Sequence, residues 1–321
     1  MNVTQVLSFR HSFAAYFAQI ALFSSLSLMS CNTEAQNNTQ FEQNLPNPRQ
    51  ESLFPRVATM PLPEKISFAG ENVPLDNEDV KERLEREIIH NSYKLSATLL
   101  ILKREGRWKK QIQAILRENE VPEDFFYLAV AESELDIYAM SAVGAHGFWQ
   151  FMKATGKEFG LEISDQVDQR RDVIEATKAA CKYLKQAHKK FGNWTLVAAS
   201  YNRGMAGMDK ALATQKQNSY YDLYLNQETY RYIFRILALK VIMQNPQLYG
   251  FHLAENEKYK PFETQPFQVN ATIVNLADFA KEHQTTYQNI KKLNPWLDDN
   301  NNYKLIVSKE KYVLQLPIEK K

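Results

Sequence analysis

A glutamate and a serine, Glu132 and Ser133, close the apolar run FFYLAVAES, and the chain then surrounds them with small residues, two glycines and an aromatic pair in ESELDIYAMSAVGAHGFWQ. An ionised carboxylate at the end of an apolar segment loses hydration, so its pKa rises and it can carry a proton near neutrality. That is the requirement for a general acid. Gly144 and Gly147 permit close backbone approaches, Phe148 and Trp149 offer flat apolar walls, and Gln150 offers an amide. Such a cleft suits a sugar. Most glycosidases need a second carboxylate. Glu134 would point away from Glu132 on a helix, and Asp136 falls past the helix end. Glu228, in NQETYRYIF, reaches the site only through tertiary folding and is otherwise an exposed first-turn residue. A one-carboxylate reaction fits better.

The elements that must position these groups are mainly helical. Val80, Leu84, Ile88 and Ile89 recur at helical spacing behind a cap at Asp76 or Asn77, predicting a helix that runs to Gly106. A second helix carries Trp108, Ile112, Ile115 and Leu116, and a third opens at Pro122 with Glu123 and Asp124 favoured by the helix dipole. Further amphipathic stretches are IEATKAACKYLKQAHKKFG, WTLVAASYN and ETYRYIFRILALKVIMQN. No fixed-period repeat and no strand–helix alternation is present, which disfavours solenoids and doubly wound folds. After Pro261 the pattern changes to a strand in FQVNATIV, two short helices in LADFAKEHQTTYQNIKKLNP and a closing strand in KYVLQLP, a small separate module.

The 321 residues carry 39 basic and 37 acidic side chains, for a net charge of +2. Nucleic acid needs a concentrated basic footprint, so none is expected as a partner. Six histidines without ligand spacing and only two cysteines imply no metal and no cofactor. Arg10 and His11 precede SFAAYFAQIALFSSLSL, shorter than the roughly 20 residues of a membrane span and typical of a secretory signal. It ends in Leu28, Met29, Ser30 and Cys31, which resemble a bacterial lipobox, and the lipobox implies cleavage before Cys31 and lipidation of its sulfur. The alternatives are an ordinary signal or a marginal anchor. Residues 32–65 are polar and proline-broken, a tether. Cys181 reads as a small core residue.

Taken in order, Glu132-Ser133, Ser141, Gly144-Ala145, GFWQ from Gly147, VDQRRD, Tyr183-Leu184, SYNRG from Ser200 and QETYRYIFRILA from Gln227 resemble the lytic murein transglycosylases of the soluble-lytic-transglycosylase superfamily. The likeness covers roughly residues 66 to 250 and is greatest to the membrane-bound type D enzymes. It implies a lysozyme-like helical catalytic domain, 66–255, acting on peptidoglycan glycan strands. The implied reaction breaks the β-1,4 bond between N-acetylmuramic acid and N-acetylglucosamine and leaves a 1,6-anhydromuramyl end. Glu132 would be the acid, then the base, and the substrate's acetamido group would supply the second functional group. By the same matching, Ser133 and Ser141 are candidates to bond the carboxylate or an acetamido group, and Gln150 to bind sugar. Tyr201 and Asn202 match an AYN motif with Ser200 in place of Ala, and Glu228 and Tyr232 match an ETxxY element. Ser133 reads equally as a helix terminator, and Arg170, Arg171 and Asp172 as a capping or salt-bridge cluster.

Residues 261–321 resemble a LysM glycan-binding repeat, although VNATIV replaces the usual Gly-Asp pair and the run from Trp296 to Lys311 is long and polar. A cap that merely buries Trp296 and Leu293 is the alternative. Two other readings of the whole chain stand beside the first: a hydrolytic muramidase on the same fold, and an inactive peptidoglycan-binding scaffold lipoprotein. The implied location is the outer membrane, facing the periplasm.

Overall fold

The computed structural model describes residues 58–298, 303–307 and 312–318. The signal segment at 1–31, its Cys31 and most of the tether expected at 32–65 lie outside them. No helix among the described residues is long and apolar enough to cross a membrane.

Asn77 starts helix α1 (Glu78–Tyr93): its Oδ1 accepts from the N–H groups of Asp79 at 3.0 Å and Val80 at 3.4 Å. These are donors that a helix start leaves without partners. Arg83 and Glu87 of α1 are buried, and both find partners on α8 (Gln227–Gln244). The Arg83 guanidinium lies 3.5 Å from the Tyr230 ring centroid, and Glu87 accepts from Arg231 Nε at 2.6 Å.

The expected stop at Gly106 is corrected: the chain breaks at Lys94, and α2 (Leu95–Glu118) runs through Gly106 without interruption. At the break the Thr98 hydroxyl donates to the Asn91 carbonyl at 2.6 Å, replacing a bond that the helical ladder loses. Gly106 serves packing instead. A Cβ there would lie 2.7 Å from Lys258 Cβ and 3.1 Å from the Tyr259 carbonyl, because the connector to the C-terminal module crosses the helix at this point. The Tyr259 N–H donates to the Lys103 carbonyl at 2.8 Å.

Helix α3 (Phe125–Ser133) is buried from Phe125 to Val130, so it threads the core rather than lying on it. It opens at Phe125, not Pro122, and the Asp124 carboxylate is engaged by Lys240 Nζ and the Ala69 N–H, both at 2.7 Å. After the loop and the short α4 (Lys153–Glu158), Asp172 caps α5 (Val173–Phe191) through the N–H groups of Ile174 at 2.9 Å and Glu175 at 3.0 Å. Asn193 caps α6 (Trp194–Arg203), and Glu71 adds a carboxylate to the Trp194 and Thr195 N–H groups. That glutamate is presented by the antiparallel pair β1 (Ser67–Phe68) and β2 (Glu71–Asn72). Helix α7 (Met205–Gln215) leads on to α8. Cys181 is wholly buried on α5, and burial pushes its thiol up to about 12, which leaves it inert.

In the C-terminal module, β3 (Thr264–Val269) pairs antiparallel with β4 (Tyr312–Pro317), with Val269 opposite Tyr312. Between them come α9 (Leu276–Glu282) and α10 (Tyr287–Leu293). This is the strand–helix–helix–strand order read from the sequence. The module has its own core, including Leu276, Ile290, Trp296 and Leu314, and it packs against the helical part. Val167 of the helical part is fully buried in that core, and Ala58–Lys321 form one compact unit. The Asp168 N–H donates to the Trp296 carbonyl at 2.7 Å, and the Gln166 side-chain amide bonds both backbone groups of Ile306, at 2.8 and 3.0 Å. Tyr312 donates its hydroxyl to Glu162 at 2.8 Å.

Candidate active site

Three helices and one loop converge on Glu132. It stands one residue before the end of α3, half-buried, where the helix stops because Glu134 and Leu135 both turn left-handed, at φ +52° and +56°. Two consecutive non-glycine residues in that region cost roughly 1 kcal/mol or more each. The turn is held from α2 and its start: Lys94 pairs with the Glu134 carboxylate, while Arg104 donates to the Glu134 carbonyl at 3.0 Å and to Asp136 Oδ2 at 3.1 Å. The two carboxylates that follow Glu132 in the chain are thereby committed to cations, and the third, Glu228 on α8, is near enough for its charge to act on Glu132.

Tyr232, on α8, donates its hydroxyl to Glu132 Oε1 in a short hydrogen bond. Burial pushes the Glu132 carboxyl up to about 7; the Tyr232 hydrogen bond and the Arg235 cation pull it down, and the Glu228 charge adds to the rise. Burial, and then the Glu132 charge, push the Tyr201 and Tyr232 phenols well up, so both remain donors. Tyr201, on α6, gives its hydroxyl to the Trp149 carbonyl at 2.7 Å and sets its ring edge-to-face with those of Trp149, Phe151 and Tyr183. Asn202 joins α6 to α8, accepting from the Thr229 hydroxyl at 2.7 Å and donating to Glu228 Oε1 at 3.1 Å.

The remaining candidates serve the loop. Ser133 donates its hydroxyl to the Ala129 carbonyl at 2.9 Å, back onto its own helix, so that donor is not offered to the Glu132 carboxylate. Ser141 Oγ accepts from the Ala145 N–H at 3.0 Å and shapes the turn around Gly144. Gln150, at φ +46°, spends its amide N–H groups on the Ala139 and Gly147 carbonyls at 3.0 and 2.8 Å, leaving its side-chain oxygen as the group it can offer a ligand.

Arg170 is in a salt bridge and Asp172 in a cap, as read from the sequence; what the sequence did not show is that Arg170 anchors the loop. Arg170, 6% exposed, grips Asp168 through Nε at 2.8 Å and a terminal nitrogen at 2.6 Å, and donates to the Gly144 and Phe151 carbonyls at 2.9 and 3.3 Å. Burial acts to raise the Asp168 carboxyl, but the hydrogen bonds and charge of Arg170 outweigh it and hold the group below the usual carboxylate range. His146 lies 3.3 Å from Asp168, and burial together with the Arg170 charge lowers its pKa. Gly147 passes so close to the Arg170 carbonyl that a Cβ would sit 1.9 Å from its oxygen. Trp149 is fixed from the other side by its Nε1–H bond to Thr177 at 2.9 Å. Arg170 and, on α8, Arg235 had a sequence signal. Arg170 stands in VDQRRD, and Arg235 follows Glu228 and Tyr232 at seven and three residues, on one helix face. Thr177 had none.

A sugar-cleaving site can be assembled from these groups: a carboxyl protonated near neutrality, a phenol bonded to it, and a rigid aromatic loop beside it. Comparison with known proteins agrees with that chemistry. Residues 110–224 match the transglycosylase SLT domain, and residues 265–320 match the soluble lytic transglycosylase C-terminal LysM-like domain. The chain is 28% identical over 222 residues to membrane-bound lytic murein transglycosylase D of Escherichia coli strain K12, covering 67% of this chain and 48% of the relative. It shows the same identity and coverage with the protein of that name from Escherichia coli O6:H1. The chain thus spans about half the length of the curated relatives it matches. It carries a transglycosylase SLT domain followed by a LysM-like C-terminal domain, and it is homologous to membrane-bound lytic murein transglycosylase D.

Proposed function

We propose that the chain is a peptidoglycan lytic transglycosylase, that residues 66–255 are its catalytic part, and that Glu132 is both its acid and its base. The observation that carries this reading is the Glu132 carboxyl, raised to about 7 and bonded to Tyr232, with Glu134 and Asp136 paired to cations and Glu228 held by the Asn202 amide. Protonated Glu132 gives its proton to the glycosidic oxygen between N-acetylmuramic acid and N-acetylglucosamine as that bond breaks. The substrate's 2-acetamido carbonyl stabilises the anomeric carbon. Glu132, now ionised, takes the proton of the muramyl 6-hydroxyl, whose oxygen closes the 1,6-anhydro ring. One carboxyl therefore serves both steps and is restored at the end. Tyr232 keeps that carboxyl oriented through both charge states, and Tyr201, Asn202, Glu228 and Gln150 shape the sugar-binding walls. The carbonyl oxygen of Gln150 and the hydroxyl oxygen of Ser141 are the acceptors we assign to substrate hydroxyl or amide donors.

Mass spectrometry of muropeptides released from purified sacculi tests this. Residues 32–321 are expected to yield anhydromuramyl ends that vanish in Glu132→Gln. Reducing ends, heavier by one water, would identify a hydrolase instead, and release of nothing would identify a binding scaffold.

We further propose lipidation at Cys31 and residence at the outer membrane, facing the periplasm, on the strength of the Leu28–Cys31 sequence. Radiolabelled palmitate should enter the full chain and not Cys31→Ser; equal labelling sinks the anchor. Glycan binding by residues 261–321 is supported by the LysM-like match and by a hollow of about 570 Å³ lined by Phe267, Asn270, Thr272 and Asp278.

A further inference from the structure

Between the helical part and the C-terminal module lies a crevice of about 400 Å³, within the roughly 300–1,000 Å³ range of small-ligand sites. Arg107, Trp108, Phe262 and Lys292 line it, and the same four residues line a second hollow of about 180 Å³ that reaches Leu135–Tyr138, just past Glu132. Trp108 also touches the active-site loop, edge-to-face with Phe148 at 5.4 Å. The crevice therefore begins where the chain leaves the proposed catalytic residue and ends against Trp296 of the module.

Its charge is unbalanced. The Arg107 guanidinium lies 4.1 Å from the Phe262 ring centroid and 5.3 Å from that of Tyr259, and its Nε donates to the Lys260 carbonyl at 3.0 Å. That fixes the fork and leaves its two terminal nitrogens uncommitted. The Lys292 ammonium lies 5.0 Å from the same Phe262 centroid, and Lys110 also lines the crevice. Among the described residues none of these three cations has a carboxylate within salt-bridge distance. The two carboxylates that line the hollows are engaged elsewhere: Asp136 on Arg104, and Asp172 on the N–H groups that begin α5. Burial lowers the Arg107 pKa, with no anion opposing it strongly.

A fixed guanidinium with a free fork, two ammonium groups and aromatic walls is the complement of a ligand that carries carboxylates on a compact, partly apolar frame. We propose that this crevice binds the acidic peptide branch of the glycan substrate, so that the chain recognises peptide-bearing strands as well as sugar. This rests on the transglycosylase reading for its choice of ligand. The module's share of the crevice then has a purpose of its own: Trp296 and Lys292 complete a site whose other wall is α2.

The test uses the full-length Glu132→Gln chain, titrated with the soluble dipeptide L-Ala-D-Glu and with its diamide and followed by backbone and Arg Nε–H chemical shifts. The acid is expected to shift Arg107, Trp108 and Lys292, and the diamide to bind about tenfold or more weakly, since charge-assisted bonds are lost. Arg107→Ala should weaken the acid about tenfold. Lys110→Gln/Lys292→Gln, at two exposed positions, is the second variant should the first not fold. Equal binding of acid and diamide, shifts with peptide-free glycan instead, no shifts with either, or undiminished binding in the folded variants would overturn the proposal. Cleavage assays separate its fate from that of the enzyme. The variants should raise KM on peptide-bearing strands about tenfold and leave denuded strands unchanged. Peptide binding without any cleavage would remove the transglycosylase and keep the crevice; cleavage without peptide binding would do the reverse.

Discussion

In the proposed reaction Glu132 couples catalysis to stability through one proton. A carboxyl raised to about 7 is protonated in acid, so the proposed acid step should weaken as pH rises through about 7, which a pH profile of single-turnover cleavage would read. The unfolded chain returns this group to its ordinary value of 4.5, so between pH 4.5 and about 7 the folded state keeps a proton that the unfolded state has released. Stability from this group is therefore full below the lower value and is lost as pH climbs to the upper one. Glu132→Gln removes the loss and should be more stable than the parent at pH 8, by up to about 3 kcal/mol, with little difference at pH 4.5. Urea denaturation at the two pH values checks it. The same variant should lose at least about 100-fold in cleavage rate. Tyr232→Phe deletes a hydrogen bond that favours the charged carboxyl, so the alkaline limb of the activity profile should move up; a downward move would show that the phenol does not lower the Glu132 pKa.

At the scale of elements, the site depends on a loop that has almost no regular structure of its own. Between α3 and α4 the chain is held by two isolated bridges centred on His146, by the Ser141 turn, and above all by Arg170. Arg170→Lys keeps the charge but loses the planar fork on Asp168 and the bonds to Gly144 and Phe151. The expected cost is about 2 kcal/mol, typical of leaving buried acceptors without their donors, measured as a lowered urea midpoint with an unchanged slope. Gly147→Ala should be worse than its size suggests, since even a methyl group meets the Arg170 carbonyl and φ is +75°. Gly106 answers a different need. It looks like a helix stop in sequence, but its missing side chain is what lets Lys258 and Tyr259 cross α2.

For the whole molecule, the C-terminal module and the site loop share one support. The stretch from Glu162 to Val167 is bonded to the module, Val167 is buried in the module's core, and Asp168 is the carboxylate that orients Arg170. Val167→Asp would place an uncompensated charge in that core and should undock the module. The expected readout is faster amide exchange over 162–171 and also over 139–151. If exchange rises only in the first stretch, the module does not help hold the loop. The proposed glycan binding by the module would raise local substrate concentration, and docking rather than a slack linker fixes the geometry at which it does so.

Unlike α4 and α7, most of the long helices, the module's strand order, the position of Glu132 at the end of an apolar helix and the aromatic and amide groups behind it were legible in the sequence by itself. These follow from hydrophobic period, capping side chains and residue type, which are local properties. The sequence misplaced the first helix break, because Lys94 is a stop only through the Thr98 bond to Asn91, and Gly106 is not a stop once Tyr259 lies over it. Tertiary structure alone decided that Tyr232 meets Glu132 across 100 positions, that the Ser133 hydroxyl turns back to its own helix, and that Arg170 carries the loop. It also decided that the module docks instead of trailing on a connector. Each of those is a contact between distant segments, and burial, which sets both the pKa of Glu132 and the uncommitted fork of Arg107, exists only after the segments have met.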